Sequence, residues 1–178
     1  MNDATIHVRP STDADLAAIH AIYAHHVTHG FGSFEEVPPG LDEMAARRLA
    51  VLERGMPHLV AEAGGRVLGY AYAGPYRPRP AYRYTVENSI YVAQEAVGRG
   101  VGRALLGALV EVCEAGPWRQ MVAVIGDRGN TASIALHASF GFHEAGHLNA
   151  VGFKLGRWVD VVIMQRQLGA GDDEGPDD

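Results

Sequence analysis

The sequence has one cysteine among 178 residues and no long apolar run. A single thiol excludes an intramolecular disulfide, and Cys113 lies on the apolar face of a predicted helix, so we expect it to be buried. No segment is apolar for long enough to span a membrane, and no apolar stretch follows a basic start at the N-terminus. These features predict a soluble, cytoplasmic protein without a membrane partner.

Basic residues are also scarce. The chain has 15 Lys and Arg against 21 Asp and Glu, and five of the acidic residues lie after Gly169, which leaves 16 before it. The rest of the chain is therefore nearly neutral and lacks the basic stripe that is typical of nucleic-acid binding. With 47% hydrophobic residues, the composition predicts a single domain at residues 1–168 and an acidic disordered tail at residues 169–178.

The most informative stretch is a predicted strand at residues 85–92 that leads through a glycine-rich turn into a helix. Three glycines occupy every second position of Gly98–Arg103, directly before apolar residues at helical spacing. Such a turn lets backbone N–H groups converge on an anion at the positive end of the helix, and its two arginines add charge suited to a phosphate. The stretch predicts a phosphate-bearing ligand at Gly98–Arg103.

Two common nucleotide motifs do not fit this turn. A dinucleotide-binding turn has G-x-G-x-x-G directly after its strand, and a P-loop ends in G-K-[ST]. Here the pattern is G-x-G-x-G, polar residues 93–97 separate it from the strand, and it ends in Gly102-Arg103-Ala104. Both nucleotide readings are therefore excluded.

A proline-rich stretch at residues 74–83 carries three arginines, Arg77, Arg79 and Arg83. The prolines prevent regular structure and hold the arginines apart. Arginines on a stiff loop beside the central strand suit an anionic substrate such as a carboxylate. A solvated loop is the alternative.

Residues 30–36 form a second irregular stretch, with two aromatic residues, Phe31 and Phe34. Aromatic loops of this type often cover a ligand site, and we expect that role here, with a simple connection between helices as the alternative.

The helix predicted before this loop carries four histidines, and His25 and His29 are four residues apart, as in a metal site. No carboxylate or cysteine motif accompanies them, so a solvated or interface-facing helix end is the preferred interpretation.

Hydrophobic periodicity and turn residues place the other elements. They predict a strand at residues 6–9, a helix capped by Thr12, a helix at residues 41–54, and a hairpin with strands at residues 58–63 and 67–73 around Gly64-Gly65. A strand at residues 120–125, a helix at residues 130–140 and strands near residues 142–148 and 159–168 complete the chain.

Taken in order, the strand, glycine turn, helix, strand and the segment Asn130–Phe142 resemble the GCN5-related N-acetyltransferase (GNAT) fold. Residues 82–92 and 156–160 further resemble the phosphinothricin and methionine sulfone acetyltransferase branch. The resemblance covers nearly the whole chain except the tail. It implies an α/β (α+β) fold in which a central, mixed, mostly antiparallel twisted sheet is flanked by helices and splayed at the acetyl-CoA site.

The resemblance implies acetyl-CoA as co-substrate and no metal. The glycine turn would hold the pyrophosphate, and the pantetheine arm would pair with the strand. The family's Gln or Arg at the start of the turn is Val97 here, which removes one side-chain contact. The cofactor-binding residues implied are Ile90, Tyr91, Val92, Gly98, Arg99, Gly100, Val101, Gly102, Arg103 and Asn130.

Two residues are candidates for catalysis by direct attack on bound acetyl-CoA. Glu87 lies mid-strand, where a carboxylate is costly unless used or paired, and it matches the family's general base, acting through a water. Its alternative is an ion pair with Arg83 or Arg77. His137 occupies the position where many enzymes of the family have a tyrosine that protonates the departing thiolate. An imidazole suits proton transfer near neutral pH, and the alternative is a histidine that only packs within the helix.

The branch acetylates the α-amino group of phosphinothricin, methionine sulfone or methionine sulfoximine and is typically a homodimer, so we expect both properties here. The substrate-binding residues implied are Phe34, Arg77, Arg79, Glu87, Asn88 and Ser89. The alternatives are a GNAT enzyme that acetylates another small amine or antibiotic, and a non-catalytic acyl-CoA-binding module.

Overall fold

The computed structural model describes residues 5–176, which form seven β-strands and four α-helices. Asp177 and Asp178, the last acidic residues of the predicted tail, lie outside the described residues. In chain order the elements are β1 (His7–Pro10), α1 (Leu16–His29), α2 (Leu41–Glu53), β2 (His58–Ala63), β3 (Arg66–Pro75), β4 (Thr85–Val92), α3 (Val101–Glu114), β5 (Gln120–Gly126), α4 (Thr131–Ala138), β6 (His143–Lys154) and β7 (Arg157–Gln167).

The strands form a single sheet in the order β1-β2-β3-β4-β5-β7-β6. Only β4 and β5 pair in parallel, and the other neighbours are antiparallel. This arrangement confirms the predicted fold class, a mixed and mostly antiparallel sheet with flanking helices. Within residues 5–176, no helix combines the length and apolarity needed to cross a membrane.

Local sequence signals placed several elements well. Strand β4 has the predicted bounds, and the β2–β3 hairpin turns at Gly64 and Gly65, whose φ angles of 58° and 74° require glycine. Helix α4 begins one residue later than predicted because Asn130 caps it: the Asn130 side-chain oxygen accepts a hydrogen bond from the Ser133 N–H at 3.2 Å. The helix also ends at Ala138, two residues before the predicted end.

The predicted strand near residues 142–148 is too short, because β6 continues to Lys154. This edge strand is exposed along nearly its whole length, so it lacks the alternation of apolar and polar residues on which the prediction depended.

Helix α3 packs against the sheet through six buried side chains and anchors the glycine turn that precedes it. A Cβ at Gly69 of β3 would lie 2.8 Å from the Tyr91 carbonyl oxygen and 3.0 Å from the Val101 side chain, so glycine is needed for this close approach. Cys113 is fully buried on the same helix, as predicted, and burial raises the pKa of its thiol to about 12.

His58 of β2 is a buried titratable group outside the splayed part of the sheet. It is 5% exposed, and its ring lies beside those of Tyr70 and Tyr72 and nearly parallel to both, with ring centroids 5.7 and 5.5 Å away. Its Nδ1 finds no hydrogen-bond partner among residues 5–176. Burial, assisted by the positive charge of Arg48, lowers the pKa of His58 to about 4.

We therefore predict that protonation of His58 destabilises the fold in mild acid. The unfolded chain binds this proton below about pH 6.5, whereas the folded chain binds it only near pH 4, so the free energy of unfolding falls by up to about 3 kcal/mol between these values. His58→Phe keeps a ring in the stack and removes the proton site. In urea unfolding, the free energy of unfolding should decrease less for the variant than for the wild type as the pH falls from 7 to 4. A difference between the two proteins that does not change with pH would contradict the prediction.

Candidate active site

The sheet opens between its two parallel strands. Pairing of β4 with β5 covers four residue pairs and ends at Asn88 and Ala123. Strand β4 continues to Val92 along β3, and β5 continues to Gly126 along β7, so the two strands diverge beyond the last pair. The backbone groups of β4 that point into this opening are available to a ligand lying along the strand.

A cleft of about 890 Å³ occupies this opening. Its walls are the diverging halves of β4 and β5, the glycine turn, the start of α4 and residues 30–34. A long ligand can therefore reach from the glycine turn to the point where the strands meet. The cleft confirms the splayed sheet implied by the resemblance.

The glycine turn has the backbone geometry of an anion site. Gly98 and Gly100 have φ angles of 79° and 84°, and Gly100 is the N-cap of α3. The free N–H groups of the first turn of α3 therefore lie at the mouth of the cleft, where the helix dipole favours negative charge. The Arg103 guanidinium, 5.3 Å from the centre of the Phe140 ring, adds positive charge at the same wall.

Nine of the ten predicted cofactor residues line the cleft, and Arg99 does not. Val97, the departure from the family pattern, also lines it and is largely exposed. The nine that line it are Ile90, Tyr91, Val92, Gly98, Gly100, Val101, Gly102, Arg103 and Asn130.

Successive side chains of β4 point to opposite faces of the sheet, and this alternation separates the two catalytic candidates. Glu87 shares one face with Tyr91, which contacts Tyr23 of α1 with ring centroids 5.0 Å apart. Asn88 points to the other face, towards His137 of α4. Glu87 and His137 therefore reach the cleft from opposite sides.

The Glu87 carboxyl group lines the cleft and is partly buried. Burial raises its pKa above the ordinary value, and the positive charge of Arg77 opposes this effect. A carboxylate with a raised pKa is a stronger base than one in water, which suits proton abstraction from an ammonium group.

His137 is buried, and both of its ring nitrogens have partners. Nδ1 lies 2.8 Å from the Ser133 carbonyl oxygen and must carry the hydrogen there, because a carbonyl oxygen only accepts. Nε2 lies 3.1 Å from the Asn88 side-chain oxygen, while the Asn88 amide donates to the Val122 carbonyl at 3.3 Å. Burial lowers the pKa of His137, so its protonated form is a readier proton donor than imidazolium in water.

The predicted substrate residues divide into two groups. Phe34, Glu87, Asn88 and Ser89 line the cleft, whereas Arg77 and Arg79 are exposed and lie outside its lining. The Arg77 guanidinium stacks on the Tyr76 ring at 4.5 Å, but it lies close enough to lower the pKa of Glu87.

His26 of α1 is one of several cleft residues that were not predicted from the sequence. Its Nε2 donates to the Val92 carbonyl oxygen at 2.8 Å, at the open end of β4. A signal was present, because His26 follows Ile19, Ile22 and Tyr23 at helical spacing on the buried face of α1.

The His25 and His29 rings stack with centroids 4.6 Å apart, and the His29 ring bonds the His25 carbonyl oxygen. Within the part of the chain that the structure describes, no group of three or more His, Cys, Asp or Glu side chains is arranged to hold a metal ion.

Comparison with known proteins gives the class and the family. A family model described as an acetyltransferase (GNAT) domain matches residues 8–163, so the splayed sheet and its cleft are those of an acetyltransferase. The chain belongs to the GNAT family.

Relatives fall in the branch indicated by the resemblance. The chain is 60% identical over 170 residues to phosphinothricin N-acetyltransferase of Alcaligenes faecalis, covering 96% of this chain and 86% of that protein. It is 43% identical over 162 residues to L-methionine sulfoximine/L-methionine sulfone acetyltransferase of Pseudomonas paraeruginosa, and the match covers 90% of this chain and 94% of that protein. The crystal structure of a phosphinothricin acetyltransferase from Sinorhizobium meliloti in complex with AcCoA superposes with a TM-score of 0.95 at 46% identity. The superposition covers 98% of this chain and 94% of that chain.

Proposed function

We propose that this protein transfers the acetyl group of acetyl-CoA to the α-amino group of an amino-acid analogue such as phosphinothricin, methionine sulfone or methionine sulfoximine. The observation that carries the proposal is the 60% identity to a phosphinothricin N-acetyltransferase along almost the whole chain. The match to a methionine sulfoximine and sulfone acetyltransferase supports the wider acceptor class.

The cofactor in this proposal occupies the cleft along β4. Its pyrophosphate lies at the glycine turn, where the N–H groups at the start of α3 and the charge of Arg103 offset the phosphate charge. The pantetheine arm pairs with the backbone of Ile90–Val92, and an N–H of this strand polarises the thioester carbonyl. Val97 offers the pyrophosphate no polar side chain, but the backbone donors of the turn do not depend on the side chain at that position.

Glu87 acts as the general base in this mechanism. Through a water, it removes a proton from the acceptor ammonium, and the neutral amine then attacks the thioester carbon directly. The C–N bond forms, the C–S bond breaks and the thiolate leaves with the electron pair, while the nitrogen loses its second proton to water as the amide forms. The raised pKa of Glu87, caused by burial, supports this role.

His137 donates the proton that the thiolate needs. With the Nδ1 hydrogen held by Ser133, Nε2 is the ring nitrogen that carries the transferable proton, and in the protonated imidazole it faces the Asn88 oxygen before it passes that proton to the thiolate. Its position on the face of β4 opposite to Glu87 supports a division of roles, with the base at the amine and the acid at the sulfur.

We further propose that the protein is a homodimer that associates through the β6–β7 hairpin. Strand β6 is the edge of the sheet, and five large apolar side chains of the hairpin are between 48% and 64% exposed. A cluster of this kind marks an interaction surface. The five residues are Leu148, Val151, Phe153, Leu155 and Trp158.

The domain assignment and the location complete the proposal. Strand β7 ends at Gln167 and Leu168 is fully buried, which supports a catalytic domain at residues 1–168 followed by a tail at residues 169–178. Disorder of this tail and a cytoplasmic location stay predictions from the sequence.

The acceptor prediction is tested by thiol release from acetyl-CoA with a panel of amines. We expect turnover with phosphinothricin, methionine sulfone and methionine sulfoximine, and little with polyamines, since a polycation does not suit a loop that carries three arginines. Activity with polyamines alone would refute the proposed acceptor class, and binding of acetyl-CoA without any turnover would favour a non-catalytic module.

Replacement of the proposed base gives a second prediction. Glu87→Gln should lower kcat by about 100-fold or more while acetyl-CoA affinity is kept, because a general base contributes to the chemical step. In the wild type, kcat/KM should fall as the pH drops through the pKa of Glu87, which burial raises above its ordinary value of 4.5. This decrease at low pH should be absent from the variant. Glu53→Gln, at an exposed glutamate at the end of α2, is the matched control, and full activity of Glu87→Gln would exclude the mechanism.

The third prediction concerns association. Light scattering should give the wild type twice the 19.1 kDa chain mass. The double variant Phe153→Ser, Trp158→Ser should shift towards monomer, because it removes the paired rings, 5.3 Å apart, from the exposed face. Val112→Ser, at an exposed apolar residue of α3, should leave the dimer intact. A monomeric wild type would contradict the proposal.

A further inference from the structure

Residues 30–36, which we call the covering segment, lie across the cleft on the Glu87 face of the sheet. The segment follows α1, which packs on this face through the contact of Tyr23 with Tyr91. The glycine turn and α4 lie on the opposite face, where Gly102 approaches the Val92 side chain and His137 contacts Asn88. The covering segment therefore borders the side on which the proposed acceptor meets Glu87.

The covering segment is fitted closely against distant parts of the chain. A Cβ atom at Gly126, the last residue of β5, would overlap the Phe31 carbonyl oxygen, and a Cβ atom at Gly152 of β6 would overlap the Phe34 ring. Two glycines thus leave room for the segment to lie directly on the end of β5 and on the β6–β7 hairpin. The fit indicates one preferred position for its two aromatic residues.

Lys154 holds the middle of the covering segment. Its side chain is buried at 3% exposure, and its ammonium group donates to the Ser33 carbonyl oxygen at 2.5 Å. Burial lowers the pKa of Lys154, and the nearby charges of Glu36 and Glu35 oppose this. A buried ammonium is costly unless it is hydrogen-bonded, so this contact between residues far apart in sequence is strongly favoured.

Arg157 holds the beginning of the segment. Its guanidinium lies 4.0 Å from the centre of the Phe31 ring, and Nη2 donates to the Asp127 carboxylate at 2.5 Å. Asp127 also accepts a hydrogen bond from the Gly129 N–H at 3.0 Å, and it has a φ of 71°, which is strained for a residue with a side chain. Strain of this kind persists where the surroundings impose it, and it places the carboxylate beneath Arg157 at the rim of the cleft.

We propose that Lys154 and Arg157 are positioning residues that fix the covering segment over the acceptor side of the cleft and thereby set the affinity for the amino-acid acceptor. The inference rests on the proposed function for the identity of the acceptor. It also gives a role to Arg157. This residue lies in the stretch 156–160, which resembles the phosphinothricin and methionine sulfone acetyltransferase branch but takes no part in the proposed chemistry. Neither residue touches the reacting atoms, so both act through Phe31 and Phe34.

The test compares Arg157→Gln and Lys154→Met with Arg166→Gln. Arg166 lies on the same strand, β7, and is paired with Glu114 away from the covering segment, so it reports the general cost of losing a β7 arginine. Calorimetry with L-methionine sulfone in the presence of coenzyme A should show roughly tenfold weaker binding in the first two variants, as expected for loss of a charge-assisted hydrogen bond. Coenzyme A affinity should be unchanged, and Arg166→Gln should bind both ligands like the wild type.

A second measurement needs no ligand. Amide hydrogen exchange in a peptide spanning residues 30–36 should be faster in Arg157→Gln and Lys154→Met than in the wild type, and unchanged in Arg166→Gln. Unchanged exchange and affinity, or equal weakening for both ligands with a lower Tm in all three variants, would overturn the inference. If the wild type acetylates no acceptor of the panel, the proposed function fails, whereas faster exchange in the two variants would still support the fixing of the segment.

Discussion

The whole site depends on the point at which β4 and β5 stop pairing. A parallel ladder that continued beyond Asn88 and Ala123 would close the sheet and leave no cleft. Because it ends there, the outer half of β4 has a neighbouring strand on one side only, where it pairs with β3. Buried backbone groups need partners: His26 supplies one for the Val92 carbonyl oxygen, and in the proposed complex the pantetheine arm supplies others.

The same strand separates the two proposed catalytic groups onto opposite faces of the sheet. Glu87 and Asn88 are adjacent, yet one faces α1 and the covering segment while the other faces α4 and His137. The environments differ accordingly. Burial raises the pKa of the carboxyl group, whereas it lowers the pKa of the imidazole. A single physical cause, removal from water, therefore shifts the two pKa values in opposite directions, each towards the uncharged form of its group.

The sequence predicted more of the residues that line the proposed cofactor part of the cleft than of those near the proposed acceptor, and the reason is physical. Strand β4 and the glycine turn depend on neighbouring residues, so their patterns are readable locally. Contacts such as that of Lys154 with Ser33 join residues far apart in the chain and follow from packing alone. The edge strand β6 was underestimated for a different reason: it is exposed along nearly its whole length and lacks the alternation of apolar and polar residues that indicates a strand. Arg77 and Arg79 had suitable chemistry, but only the fold fixes where a loop of that kind lies.

The alternation along β4 has a consequence for how this protein can vary. The β3–β4 ladder runs without a bulge from Gly69 paired with Val92 to Pro75 paired with Val86. Inserting or deleting one residue within it would turn every later side chain to the opposite face. The carboxylate and the amide would then exchange surroundings, although no functional residue had been replaced. Strand β4 is therefore more tolerant of many substitutions than of any change in its length, and natural insertions should accumulate in the loops that flank it.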